Sequence, residues 1–320
     1  MRTKLATYNV QNLGRQDLPE PTMYRRKLDF IVRAITGLDA DLVVVNELRE
    51  QASFFDLAEA CGSYSGRLLG DARPGAREVH TGILTRLEVL ECGQWREFPA
   101  TVPGRPGELV QLVFSRPVPW VKVRLGNGQT LFAAGVHLKS RRPEVEAIPV
   151  SESARRREVL GQTLAVQTRM AEAGGLRCLL DEVMVGKAAH HFAVLGDFND
   201  PVDSMTVSLV CGRRVDDCEA GSADSCLLFP VELKTDGRRP YSYVGSGGQA
   251  LIDHILVSQD LLAQVVQAGV ETRLLDPGLV AGQSSITSDH APVWVEVELT
   301  EQTGADVGTN RPGDSRDGRT

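Results

Sequence analysis

Along this 320-residue chain, six short aliphatic runs each meet an amide, a carboxylate or an imidazole at one end. The first closes on Tyr8-Asn9-Val10-Gln11-Asn12, residues 42–45 run into Asn46-Glu47, and 131–136 run into His137-Leu138-Lys139-Ser140. Residues 192–195 lead into Gly196-Asp197-Phe198-Asn199-Asp200. Ile252 leads into Asp253-His254, and Ser288-Asp289-His290 stands just ahead of 293–299. Uninterrupted aliphatic runs of this length are typical of strands covered on both faces. A carboxylate at the edge of such a sheet loses hydration, which costs several kcal/mol unless it is paired or bound to a cation. One such residue is ordinary, since it caps a helix or accepts from a turn. Glu47, Asp197, Asp253 and Asp289 together are different, because their convergence would require a positive ion.

The remaining pattern sets the fold class. Residues 118–125 and 293–299 alternate in polarity and read as half-buried strands. Helical spacing predicts a helix over 24–38, through Leu28, Ile31, Val32 and Ile35. A second is expected over 153–171, with Val159, Leu160, Thr163, Leu164 and Val166 on its apolar face, and shorter ones over 202–210 and 259–266. Strands mixed with helices throughout imply a layered α/β (α+β) domain over residues 1–299. Residues 300–320 have almost no apolar content and are expected to be a disordered tail.

Composition narrows the function. With 35 Lys+Arg against 42 Asp+Glu, the net charge is −7, so any polyanion must be held by local basic clusters. Six cysteines lack zinc spacing, the N-terminal residues lack a signal-peptide core, and no run approaches the roughly 20 apolar residues that span a bilayer. A cytoplasmic protein with reduced thiols is expected, without stable membrane association or an obligate protein partner. The donors in the motifs are mostly oxygen, which suits Mg²⁺ or Mn²⁺ better than zinc. His190-His191 and His80 read as structural or solvated, because nothing nearby completes a tetrahedral set.

Asn9 in Tyr-Asn-Val, Glu47 after its strand, Gly196-Asp197-Phe198-Asn199, Asp253-His254 and Ser288-Asp289-His290-Ala291-Pro292 resemble the motif series of the endonuclease/exonuclease/phosphatase superfamily, in order and over nearly the whole chain. Among its branches, the bacterial nucleases are the most similar. Two departures stand out: Asn46 occupies a position where the family usually has Gln, and 174–190 reads as an insertion between helix and strand. The resemblance implies a four-layered αββα sandwich, two packed mixed β-sheets flanked by helices, with the site at one sheet edge.

It also implies roles. Glu47 would be the principal ligand of a Mg²⁺ ion (Mn²⁺ substituting), with Asn9 and Asp289 helping directly or through water. Asp197 would orient and deprotonate the attacking water, and Asn199 would hold water or phosphate in line. Asp253 would pair with an imidazole, His290 by the family pattern, and His290 and His137 would donate to the phosphoryl group. Arg157, from the run Arg155-Arg156-Arg157, is the expected phosphate-facing arginine, with Arg156 nearly as good a fit.

The leading expectation is a nuclease acting on nucleic acid, with Arg141-Arg142, Arg213-Arg214 and Arg238-Arg239 placed to track a phosphate backbone. Tyr241 or Tyr243 would stack on a base or sit in the core. The alternative is a phosphodiesterase or phosphatase for a small or lipid substrate. The acidic charge favours it, but no exposed apolar hairpin or amphipathic basic helix is legible. A catalytically inactive binding module is the third reading, against which every expected motif residue is present.

Overall fold

Successive side chains of a strand point to opposite faces, and here each face of the buried runs meets its own apolar layer. The computed structural model describes residues 1–16, 18, 20–73, 78–101, 107–212, 226–233, 239–275 and 286–299. The expected tail, Arg213-Arg214 and Arg238 lie outside them.

In chain order the elements are β1 (Arg2–Leu13), α1 (Pro21–Leu38), β2 (Leu42–Leu48), α2 (Gln51–Cys61), β3 (Gly66–Leu69), β4 (His80–Thr85), β5 (Glu88–Thr101), β6 (Leu109–Arg124) and β7 (Thr130–His137). There follow α3 (Ala154–Val185), β8 (His191–Asp197), α4 (Met205–Cys211), β9 (Leu228–Pro230), β10 (Tyr243–Gly245), β11 (Gly248–Ala250), β12 (Asp253–Ser258), α5 (Gln259–Leu262), β13 (Val265–Val270) and β14 (Val293–Glu298). One six-stranded sheet has the order β13-β14-β1-β2-β4-β3 and the other β5-β6-β7-β8-β12-β9.

The sheets face each other. Leu5, Leu42 and Val44 from the first meet Ala133, Leu195 and Val257 from the second in one core. On the outer face of the first sheet, Tyr8, Val43 and Val45 pack with Ile31, Ile35, Phe54 and Leu57 of α1 and α2. On the outer face of the second, Phe132, Ala134 and Val194 pack with Leu176, Leu180 and Val207 of α3 and α4. Helix, sheet, sheet and helix make the four-layered sandwich. No helix among the described residues is long and apolar enough to cross a membrane.

Several local expectations are corrected. α3 runs to Val185, so most of 174–190 is helix rather than an insertion. Its buried face is Ala165, Arg169, Glu172, Leu176, Leu180 and Met184, whereas Val159, 60% exposed, faces outward with Leu160 and Val166. The stripe that packs carries an Arg and a Glu, so the apolar cluster near the helix start does not mark the buried face. The 259–266 helix stops at Leu262 and the chain continues as edge strand β13. The β5–β6 hairpin presents Leu109 (72% exposed) and Val113, so an exposed apolar hairpin does exist.

Candidate active site

Topology alone brings the motif residues to one edge. β1 and β2 run parallel with Asn9 beside Asn46, and β7 and β8 run parallel with His137 beside Asp197. Each parallel pair contains a helical crossover, α1 or α3, which returns the chain to start the second strand at the same end as the first. β12 is antiparallel to β8 and therefore begins where β8 ends, with Asp253 opposite Asp197. β14 is antiparallel to β1, so 288–290 arrive at the same edge, and Ser288 Oγ donates to the Asn9 carbonyl at 2.7 Å.

Asn9 is the hub. Its Nδ2 donates to Glu47 Oε1 at 3.1 Å and to Asp197 Oδ2 at 3.0 Å, and lies 3.4 Å from His290 Nε2. The Gln11 amide donates to Asn9 Oδ1 at 3.0 Å, so the orientation of the amide is set by its partners. Asn9 thus presents nitrogen, not oxygen, to the carboxylates. Glu47 Oε2 accepts from the Asn12 amide at 3.0 Å. Gln11, Asn12, Glu47 and Asn199 all have φ between 50° and 64°. Such backbone is costly for residues with a Cβ and collects at functional sites. At Gly196 no other residue fits, since a Cβ would sit 1.9 Å from the Val136 carbonyl.

His290 Nδ1 lies 2.7 Å from Asp253 Oδ2, which also accepts from Ser242 Oγ at 2.6 Å. Burial acts to lower the His290 pKa. The charge and hydrogen bond of Asp253, with Asp197 and Asp289, outweigh it and raise it to about 10. His290 is therefore an imidazolium whose Nε2 stands 3.9 Å from Asp197 Oδ2. His137 behaves oppositely: burial, then the nearby Arg116, push its pKa well down, leaving a neutral ring. Its Nε2 is 3.7 Å from Asp197 Oδ2 and 4.0 Å from Glu47 Oε1. Burial, reinforced by Asp253 and Glu47, raises Asp197 to about 7. Asp289 is also raised, by burial first and then by Glu47.

Asn199 lies beside Asp197, donating its amide to Asp197 Oδ1 at 2.7 Å and Nδ2 to the Leu138 carbonyl at 3.0 Å. Arg157 is not brought to this cluster. Its Nη2 donates to the Val145 carbonyl at 2.9 Å, and its buried Nε has no partner among the described residues. Arg156 pairs with Glu152 on the surface. His254 Nε2 donates to the Asp200 carbonyl, His80 bonds to Gly70 and Glu78, and His191 to Gln129 and Asp260.

Other supporting residues were missed. Lys27, 1% exposed, donates to the Thr287 carbonyl at 2.9 Å and anchors the loop carrying Asp289 and His290. Arg169 bonds to the Lys139 carbonyl and to Asp200, while Glu172 accepts from the Ser115 and Lys139 amides. A signal was available: Lys27 interrupts the stripe Tyr24, Ile31, Ile35 of α1, as Arg169 and Glu172 interrupt that of α3. Ser242 has no such periodic mark.

The donor set fits a hard divalent cation. Burial first, then the charges of Asp253 and Glu47 on Asp197 and of Glu47 on Asp289, disfavour the ionised carboxylates, and a hard divalent ion would relieve that deficit of positive charge. Asp197, Asp253 and His290 offer ligand atoms within 4.8 Å of one another. Asp253 Oδ2, however, already accepts from Ser242 and His290, and the residue is fully buried. Glu47 and Asp289 are partly open.

The sequence matches the model of the Endonuclease/Exonuclease/phosphatase family over residues 6–290. An endonuclease/exonuclease/phosphatase structure from Bacteroides vulgatus is similar at 17% identity, covering 94% of this chain and all of that one, with a TM-score of 0.59. The human Nocturnin catalytic domain with bound sulfate is 16% identical, with 93% and 95% covered and a TM-score of 0.59. Truncated Caenorhabditis elegans TDP2 is 14% identical, with 93% and 98% covered and a TM-score of 0.57. At these identities the likeness shows the shared fold. No curated protein matches in sequence.

Proposed function

The chain belongs to the endonuclease/exonuclease/phosphatase family, whose members are metal-dependent phosphoesterases, and from that premise we propose that it is a Mg²⁺-dependent phosphodiester hydrolase acting as a nuclease. The observation that carries the reading is the Asn9 amide, which holds Glu47 and Asp197 together beside a His290 ring oriented by Asp253.

Glu47 and Asp289 would hold the cation, with Asn9 fixing Glu47 and Asp197 relative to one another rather than ligating through its oxygen. Bound there, a hard divalent ion supplies positive charge to the phosphoryl and leaving oxygens. Asp197 orients the attacking water and takes its proton, and a pKa near 7 suits a base at neutral pH. Asn199 holds the water or phosphate in line. As the new P–O bond forms and the ester P–O bond breaks, His290 donates its Nε2 proton toward the leaving oxygen, while Asp253 and Ser242 keep the ring in place. His137, neutral, is a second donor to the phosphoryl group.

The half-exposed Arg141 supports a polyanionic substrate. Its Nε and Nη2 are held by the Asn199 carbonyl and Asp200, which places a guanidinium next to the site. A second reading, a phosphoesterase for small or lipid-borne substrates, is favoured by the charge of −7 and by Leu109 and Val113 on the β5–β6 hairpin. Cys61, Cys92, Cys178 and Cys211 are thiols outside any disulfide, which supports a reducing, cytoplasmic setting.

The test is a substrate panel with Mg²⁺ or Mn²⁺: plasmid, single-stranded DNA, RNA, bis-p-nitrophenyl phosphate and p-nitrophenyl phosphate. Nicking of plasmid that disappears in Glu47→Ala and Asp197→Asn is the expected result. Turnover of small esters without nucleic-acid cleavage selects the second reading. Full activity of either variant overturns the assignment.

A further inference from the structure

Tyr243 opens the β10–β11 hairpin and is fastened to the catalytic loop from several directions. Its backbone forms an antiparallel bridge with His290, the Val244 amide donates to the Asp289 carbonyl at 3.0 Å, and the Ala291 amide donates to the Ser242 carbonyl at 2.6 Å. The phenol ring lies against the His290 imidazole, with centroids 4.8 Å apart and planes tilted by 48°. Gly245 leaves room for the hydroxyl, since a Cβ there would stand 2.3 Å from Tyr243 Oη.

The hydroxyl has no hydrogen-bond partner among the described residues. Half-buried tyrosine hydroxyls ordinarily find one. Tyr24 donates to Asp56, and Tyr64 to the Ala40 carbonyl. Tyr8 is also unpartnered, but it is sealed in the core and out of reach of any ligand. Tyr243 is only partly buried.

We propose that the Tyr243 hydroxyl contacts the substrate directly, donating a hydrogen bond to a phosphoryl oxygen seated over Glu47, Asp197 and Asp289. The inference rests on the phosphoesterase reading above and adds a catalytic residue to it. The geometry accounts for the partnerless hydroxyl, for the glycine that accommodates it, and for the hairpin pinned to the loop that carries Asp289 and His290. Burial, with the charges of Asp289, Asp197 and Glu47, raises the phenol pKa, so the group keeps its proton and remains a donor. A phosphoryl oxygen is anionic, and hydrogen bonds to charged groups are among the stronger ones.

Tyr243→Phe removes the hydroxyl and keeps the ring on His290. It is expected to leave the melting temperature unchanged, because no bond within the protein is lost. It should lower kcat/KM by roughly 10- to 100-fold on both bis-p-nitrophenyl phosphate and plasmid. Activity within twofold of wild type on both substrates overturns the proposal. So does a loss confined to Tyr243→Leu, which would make the ring, not the hydroxyl, the functional part. Calorimetric titration of inorganic phosphate in the presence of Mg²⁺ separates this inference from the wider one. If the wild type binds phosphate yet hydrolyses nothing on the panel, the phosphodiesterase reading fails, while weaker phosphate binding by Tyr243→Phe still supports the hydroxyl contact. Equal phosphate affinity in the two proteins, or none in either, sinks it.

Discussion

Asn9 Nδ2 and Asp197 Oδ2 lie 3.0 Å apart although the residues are 188 positions apart in sequence. The bond joins β1 in one sheet to the end of β8 in the other. Because the same nitrogen reaches Glu47, one amide sets the separation of two carboxylates contributed by different sheets. Supporting hydrogen bonds of this kind hold ligands in place without touching the ion.

Asn9→Ala is expected to lower activity and Mg²⁺ affinity by about 10- to 100-fold while Glu47 and Asp197 remain present. Magnesium titration of the rate reads both. An unchanged magnesium midpoint would show that Asn9 does not organise the ligands.

Asp253→Asn should reduce kcat by on the order of 10²–10⁴, because the amide no longer fixes the His290 tautomer or favours the imidazolium. Ser242→Ala should give a smaller loss, since Asp253 keeps His290 but loses its hydroxyl donor. The pH–rate profile is diagnostic: the limb set by His290 should move to lower pH in Asp253→Asn. A profile superimposable on wild type would argue against the pair.

Stability of the metal-free protein should fall as pH rises. Asp197 is raised from 3.8 to about 7, so its contribution is full below about 4 and is lost as pH rises through 7. His290 is raised from 6.5 to about 10, so its contribution is present below 6.5 and is lost through 10. A divalent cation substitutes for the missing positive charge, and the upward shift of melting temperature with saturating Mg²⁺ should grow from pH 5 to pH 8, reaching on the order of 5 °C. A shift that is flat with pH would contradict this account of the cluster.

Arg157 and Arg169 should exchange the importance that their sequence contexts imply. Arg157→Ala is expected to leave kcat/KM within about threefold, since losing one hydrogen bond to a carbonyl is a modest perturbation. Arg169→Met removes one ion-pair partner of Asp200, which keeps Arg141 and Thr206, and takes away the donor to the Lys139 carbonyl, so it should destabilise the fold by about 1–3 kcal/mol in denaturant unfolding. Loss of activity in a stable Arg157→Ala protein would restore Arg157 as a phosphate contact.

The aliphatic runs determined by themselves that the chain has doubly covered strands, because alternation of residues such as Val43 and Val44 between two apolar layers is a local property of the backbone. They also placed an acid, an amide or an imidazole at one end of each run, as Glu47, Asp197 and His137 illustrate. Only the tertiary structure decided which of these groups meet, that Asn9 offers nitrogen rather than oxygen, that Arg157 turns to Val145, and that Lys27 and Ser242 brace the loop. Contacts between residues hundreds of positions apart follow from strand order and register. Those are settled by packing over the whole molecule, and no short stretch of chain carries them.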